Sequence, residues 1–230
     1  MKRLITKGIV LARTDYGEAD RIITVITSDQ GKLRLIAKGV RKSSSKMAGG
    51  IELFSVSEVS FIQGKGDMGT LVSSRLSKHY GTIVQDINRT MFGYELLKRL
   101  NKATEDAIGP EYFDLLESTL SGLDESRLDI ELLDAWFNAR LLRLSGHQPN
   151  LTTDQAGGKL QSEAAYAFDF DNMTFSPKEQ GSFTPNHIKL LRLLFNIESP
   201  EPLMNIKDMA STLPAARMLV TTMANQFIRL

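Results

Sequence analysis

Arg21-Ile22-Ile23-Thr24-Val25-Ile26-Thr27, then Asp29-Gln30-Gly31, then Lys32-Leu33-Arg34-Leu35-Ile36-Ala37-Lys38: these residues decide the fold of the first third of the chain. The first run is rich in β-branched side chains and bounded by turn residues, as a strand should be. The triplet supplies a tight turn, with glycine where a positive φ is expected. The last run alternates, placing Leu33, Leu35 and Ala37 on one face and Lys32, Arg34 and Lys38 on the other. Residues 21–38 are therefore predicted as a β-hairpin. Working outward, an opening strand is expected near residues 8–13. A long β candidate spans 51–63, with Leu53, Val59 and Phe61 on one side and Phe54, Val56 and Ile62 on the other. The turn Gly64-Lys65-Gly66-Asp67-Met68-Gly69 leads into a last strand over 70–76. About five short strands in the first 80 residues are best satisfied by a small closed barrel, because closure removes exposed edges.

After Ser77 the apolar period becomes helical. Ile87, Met91, Tyr94, Leu97 and Leu100 fall on one predicted helix, and Tyr112, Leu115, Leu116, Thr119 and Leu120 on a second. A third carries Leu128, Leu132, Leu133, Trp136, Phe137, Arg140, Leu141 and Leu144 and stops at Gly146 and Pro149. Its Trp136-Phe137 pair is read either as core or as the floor of a groove for a partner peptide. Residues 146–182 show no helical period. Thr184-Pro185 then reads as an N-cap and first turn, continued by Ile188, Leu191, Leu194 and Phe195, and Pro214 opens a last helix. Strands followed by helices predict an α+β chain. Residues 1–78 form its barrel domain and residues 79–230 an α-helical bundle, with 146–182 as an irregular excursion.

The 230 residues carry 28 Lys/Arg against 27 Asp/Glu and no cysteine. The near-zero net charge hides a division. Residues 1–80 hold 14 cationic and 7 anionic side chains, residues 81–150 hold 7 and 12, and residues 151–230 hold 7 and 8. A basic first third points to a polyanion partner. Zero cysteine excludes disulfides, a thiol nucleophile, iron–sulfur clusters and cysteine-ligated zinc. The opening residues lack an apolar core followed by small residues, so no signal peptide is expected. No apolar run approaches the ~18 residues of a membrane span. A cytoplasmic, nucleoid-associated protein with no membrane partner is expected.

The charge concentrates in residues 32–46, which hold Lys32, Arg34, Lys38, Arg41, Lys42 and Lys46, and no Asp or Glu occurs over residues 30–50. Three of these cations are expected on one strand face. Three are expected on a loop of Gly39, Ser43, Ser44, Ser45, Gly49 and Gly50, whose hydroxyls and unhindered amides add phosphate contacts. Such a surface suits a backbone tracked without sequence reading, though charge alone fits a solvated strand face equally well. Aromatic side chains able to stack on bases are scarce here: Tyr16, Phe54, Phe61 and Tyr80, with Phe54 and Phe61 read as core.

No covalent chemistry is legible. His79, His147 and His187 are far apart in sequence and are read as surface or capping residues rather than metal ligands. Residues 64–69 meet the bare G-x-G-x-x-G pattern but precede a β-like stretch, so a hairpin turn is expected rather than a dinucleotide site. Asp169 and Asp171 lack the rest of an EF-hand series. Asp15, Glu18 and Asp20, the acids a metal-dependent nuclease would need, are read as ion-pair or turn residues. No catalytic residue, metal or cofactor is expected.

Several spaced motifs carry a likeness. Gly8-Ile9-Val10-Leu11, Tyr16-Gly17-Glu18-Ala19-Asp20-Arg21, Thr27, Gly31-Lys32-Leu33 and Ala37-Lys38-Gly39-Val40-Arg41-Lys42 together resemble the N-terminal signature of the RecO family of bacterial DNA repair and recombination mediators. The similarity continues through Leu53-Phe54 and the turn at 64–70. It returns at Leu141-Leu142-Arg143-Leu144-Ser145-Gly146-His147-Gln148-Pro149-Asn150-Leu151, which looks like the family segment before its zinc module. The resemblance implies an N-terminal OB-fold, a helical domain and a zinc-binding excursion. It also implies a non-enzymatic mediator that binds single- and double-stranded DNA and anneals strands. Such a mediator engages the acidic C-terminal tail of the single-stranded-DNA-binding protein, and with RecR helps load RecA. Family DNA-binding cations map by motif position onto Lys32, Arg34, Lys38, Arg41 and Lys42; Lys46 is added from charge alone. One departure is plain. Where many members carry Cys-x-x-Cys, this chain has Asp154-Gln155-Ala156-Gly157, so a zinc-free loop held by Tyr166, Phe168, Phe170 and Phe175 is expected. The rival reading is a protein–protein interaction scaffold with an incidental basic strip.

Overall fold

The computed structural model describes residues 2–64, 66–104, 109–206 and 209–228. Five strands open the chain: β1 (Arg3–Tyr16), β2 (Asp20–Thr27), β3 (Lys32–Ala37), β4 (Ser55–Ile62) and β5 (Met68–His79). They close in the order β1-β2-β3-β5-β4, with β4 returning to β1 and a parallel β3–β5 pair at the seam. This is the OB-like barrel, and the hairpin at its centre is β2–β3, with Gly31 at φ 69° in its turn. β1 and β5 run beyond their predicted bounds. β1 shifts register between Val10 and Ala12, a bulge that bends a long strand around the barrel. At Gly8 a Cβ would stand 2.5 Å from the Val25 side chain, so only glycine admits this close approach of backbone to core.

Val10, Ile23, Val25, Leu35, Ala37, Val40, Ile51, Val59, Phe61 and Leu71 fill the barrel. Ile9, adjacent to Val10 and therefore on the opposite face of β1, is also fully buried. Helix α1 (Ile87–Ala103) packs on that side, and α2 (Glu111–Asp124) adds contacts with β1 and β2. The barrel ends at residue 79, and the compact unit around it continues through α2 to residue 126.

Two details differ from the sequence expectation. Phe54 is not part of a strand. It sits at φ 55°, turns its ring out against Tyr94 of α1 (centroids 5.2 Å apart, edge-on), and accepts the Tyr80 N–H at its carbonyl. Helix α1 also buries only part of the predicted set, Leu97 and Leu100. Phe92, Leu96, Leu97 and Leu100 face inward with Arg89, while Ile87, Met91 and Tyr94 are exposed. Helical spacing identified the helix, but apolar residues lie on both of its sides.

The second compact unit covers residues 127–230. Helix α3 (Ile130–Leu144) runs through it against α5 (Leu213–Phe227) and α4 (Pro185–Asn196). Residues 132–139 of α3 are buried without interruption, as a helix surrounded by protein requires. Trp136 and Phe137 are fully buried, and the Trp136 indole N–H donates to the Ile197 carbonyl at 3.0 Å. The pair is core, and the groove-floor reading is corrected. Asp134 binds Arg217 at 2.9 Å and Asn138 at 3.1 Å, tying α3 to α5.

The stretch expected to be irregular contains a hairpin, β6 (Tyr166–Asp169) and β7 (Thr174–Pro177). Strands of four residues are too short to show alternation. Phe168 packs edge-on against Phe170 and Phe175, and Phe175 against Tyr166 and Phe183.

Helix α4 begins at Thr184, whose backbone N–H donates to His187 Nδ1 at 3.1 Å. That nitrogen accepts only while unprotonated. Burial pushes the His187 pKa below the usual value of 6.5, with a backbone hydrogen bond at Ser211 opposing in part. Above the usual value both folded and unfolded chains are neutral here and the capping contribution is complete. As pH falls below it, the unfolded chain takes up the proton first and stability drops. Urea unfolding should therefore show lower stability at pH 5.5 than at pH 7.5. His187→Gln, which keeps an N3 capping side chain, should shrink that difference.

Candidate nucleic-acid interface

Strand β3 fixes where its cations point. Leu35 and Ala37 enter the core, so Lys32, Arg34 and Ile36 lie on the outer side. Arg34 is exposed, opposite Thr24 of β2 and Met68 of β5. Lys32 is half-buried, and its ammonium donates to the carbonyls of Asn101, at 3.0 Å, and Thr104. These carbonyls close the last turn of α1, where orphan acceptors and the helix dipole favour a cation. The expected strand face therefore needs correction: Lys32 holds a helix end. Lys38 follows the last strand residue, Ala37, and belongs to the loop.

That loop is anchored at both ends. Val40 and Ile51 sit in the barrel core, with Met47 and Ala48 packed against it. The Gly39 N–H donates to Asp20 Oδ1 at 2.7 Å and the Arg41 N–H to the Ala19 carbonyl at 2.9 Å. The Ser74 hydroxyl donates to the Met47 carbonyl at 2.9 Å. Between these anchors Lys38, Arg41, Lys42 and Lys46 are exposed together with Ser43 and Ser44. Among the described residues, no protein group takes the side chains of Arg34, Lys38, Lys42 or Lys46. Lys65, which falls between β4 and β5 in sequence, lies outside the described residues.

Arg41 has partners, all at the β1–β2 turn. Its Nε stands 3.5 Å from Asp15 Oδ2, and its Nη1 is 3.4 Å from the Gly17 carbonyl. Asp15 also takes Arg21 Nε at 2.7 Å. The hydrogen bond from Arg21 is the main reason its carboxyl titrates below the usual carboxylate value, with the charges of Arg41 and Arg13 adding to it. Asp15 and Asp20 thus organise the tip and the loop, as ion-pair and turn residues. Phe54, Phe61 and Tyr80 are buried, and Tyr16 stands exposed at the same tip.

Sequence reasoning passed over Arg89. It is buried in α1, and its guanidinium donates to the carbonyls of Leu123 (2.7 Å), Glu125 (3.2 Å) and Ser126 (2.8 Å) at the end of α2. Nothing in its local sequence announces a partner more than thirty residues away.

Comparison with known proteins agrees with the barrel and the order of elements. The family model described as Recombination protein O N terminal matches residues 1–80, and the one described as Recombination protein O C terminal matches residues 85–223. The chain belongs to the RecO family. A DNA repair protein RecO from Dehalococcoides mccartyi is 34% identical over 183 residues, covering 79% of this chain and 68% of the relative. Another from the same species is 35% identical over 147 residues, 64% of this chain and 57% of that relative's length. The DNA repair protein RecO of Listeria innocua is 30% identical over 199 residues, 82% of this chain and 76% of the relative.

The zinc of the RecO family module does not fit the residues here. The chain has no cysteine, and among the described residues no three His, Asp or Glu side chains cluster to hold a metal. At the position of the first cysteine pair, Asp154 Oδ1 accepts the N–H groups of Ala156 (3.0 Å) and Gly158 (2.8 Å), closing a turn. The five-ring contact around Phe175 supplies the interior of the module. Phe175→Ala should cost the second unit about 3–5 kcal/mol, read as a shifted urea midpoint. Lys32→Met, which keeps the apolar stem and removes the bond to α1, should cost the first unit about 1–2 kcal/mol.

Proposed function

We propose that this RecO-family chain is a DNA repair and homologous recombination mediator that binds single- and double-stranded DNA through Arg34, Lys38, Arg41, Lys42 and Lys46. One observation carries the reading. A core-anchored, acid-free loop displays Lys38, Lys42 and Lys46, whose side chains no protein group takes among the described residues, beside β2–β3, the wall that OB-folds use for oligonucleotides. Lysines and arginines free of internal partners are available to phosphates, and the exposed serines add neutral donors. Neutralising the backbone of two strands lowers their repulsion, which supports strand annealing. The family likeness and the relatives' printed role support the wider assignment. In it, the protein acts in the cytoplasm without covalent catalysis. It engages the acidic C-terminal tail of the single-stranded-DNA-binding protein, and with RecR it helps load RecA onto coated DNA.

Binding of a labelled single-stranded oligonucleotide across a salt series tests the electrostatic core of this reading. Each neutralised phosphate contributes about −0.7 to the slope of log K against log salt on single strands, so five contacts predict about −3.5. Lys42→Ala should flatten the slope by about one such step. Arg34→Glu, Lys38→Glu and Arg41→Glu together should abolish binding while leaving the unfolding transition in place. Lys32→Met should leave the slope unchanged, because its charge is directed at α1. A salt-independent affinity, or no retention of DNA in filter binding, would leave the interaction-scaffold reading standing instead. Annealing of DNA coated with the single-stranded-DNA-binding protein, with and without its acidic tail, tests the partner.

A further inference from the structure

We propose that Tyr16 is a stacking platform for an unpaired base, so that the basic face distinguishes single strands from duplex. This rests on the DNA-binding reading above and adds a second kind of contact to it. Of the four aromatic residues in the first 80, Phe54, Phe61 and Tyr80 are at most 2% exposed, whereas Tyr16 is 54% exposed. It is the last residue of β1, paired with Asp20 across the tip of the β1–β2 hairpin. Among the described residues, no ring packs on it and no group hydrogen-bonds its hydroxyl.

The neighbourhood of that ring is fixed. Asp15 and Gly17, the residues on either side of it, both bind the Arg41 guanidinium. Ala19 and Asp20, on the return of the turn, hold the backbone of Arg41 and Gly39. Tyr16 therefore shares one stitched patch with Arg41, and Lys38 and Lys42 flank these anchors in the chain. A phosphate placed at Arg41 would therefore lie beside the hairpin tip that carries the ring. Single-strand sites combine a cationic track with aromatic faces, because every base offers a π-face whatever its identity. The bases of a duplex are already stacked on one another and offer no face along its length. Tyrosine also exposes a large apolar ring at low conformational cost.

The test compares three probes of equal length: an oligothymidine, an abasic sugar–phosphate strand and a duplex. Wild-type protein should favour the oligothymidine over the abasic strand. Tyr16→Ala should weaken oligothymidine binding roughly 5- to 150-fold, the range of one stacked base. It should also erase the preference over the abasic strand, and leave both the salt slope and duplex affinity unchanged. Tyr16→Leu should behave like Tyr16→Ala, while Tyr16→Phe and Tyr16→Trp retain binding. Equal oligothymidine affinity for Tyr16→Ala and wild type, with binding still abolished by the Arg34, Lys38 and Arg41 reversals, would overturn the stacking role and leave the cationic face intact. A parallel loss on all three probes would also overturn it, by showing that the ring supports the turn rather than a base. Failure of the wild-type protein to bind any probe would overturn the underlying DNA-binding reading.

Discussion

The pairing of β1 with both β2 and β4 is the constraint on which the first unit depends. A strand bonded along both edges leaves no template for further pairing, and it places β2 and β3 on one side of itself and β4 and β5 on the other. The ring can close only if β3 meets β5, and those two strands run parallel over a short register, Arg34 to Ile36 against Met68 to Thr70. The outer side of β3 and the loop that follows it are thereby set on the barrel wall. The bulge in β1 and the absence of a side chain at Gly8 are what let a long strand complete this circuit around an interior filled by Leu35, Val59 and Phe61.

Helix ends govern the remaining charge. Carbonyls at a helix C-terminus lack intrahelical partners, and a cation bonded to them is partly engaged by the protein. Lys32 closes α1, Arg89 closes α2, and Arg140 and Arg143 both reach the Phe195 carbonyl near the end of α4. A count of basic residues therefore overstates what a polyanion can meet. The loop after β3 escapes this sorting because its own anchors are apolar side chains and backbone groups, which leave the ammonium groups of Lys38, Lys42 and Lys46 without partners among the described residues.

These same facts explain what was legible in the sequence. The β2–β3 hairpin could be read because alternation is a local property, set by the pleat itself. The closed barrel followed from strand number and length, and the candidate loop from an unbroken run without acids. The N-cap at Thr184 was legible because capping acts over three or four residues. The destination of Lys32 was not, since its partners Asn101 and Thr104 are set by tertiary packing. The inward face of α1 was not, because Ile87, Met91 and Tyr94 keep helical spacing on the solvent side. The outward turn of Phe54 depends on a left-handed backbone that its neighbours do not signal. In the second unit, the β6–β7 hairpin is shorter than any window in which a period shows, though its aromatic residues were visible as candidates for an interior.

Asp15 gives the β1–β2 tip a property that a count of its cations does not. With Arg21 and Arg41 both leaning on one carboxylate, the tip already contains an anion where the proposed DNA-binding reading would put a phosphate. The two arginines are held apart and aimed before any ligand arrives, so little ordering is left to do on encounter. An incoming phosphate would exchange with a tethered competitor rather than fill an empty charge. Under that reading the site would trade affinity for ready turnover, since the carboxylate would stand beside the arginines whenever the strand moved on.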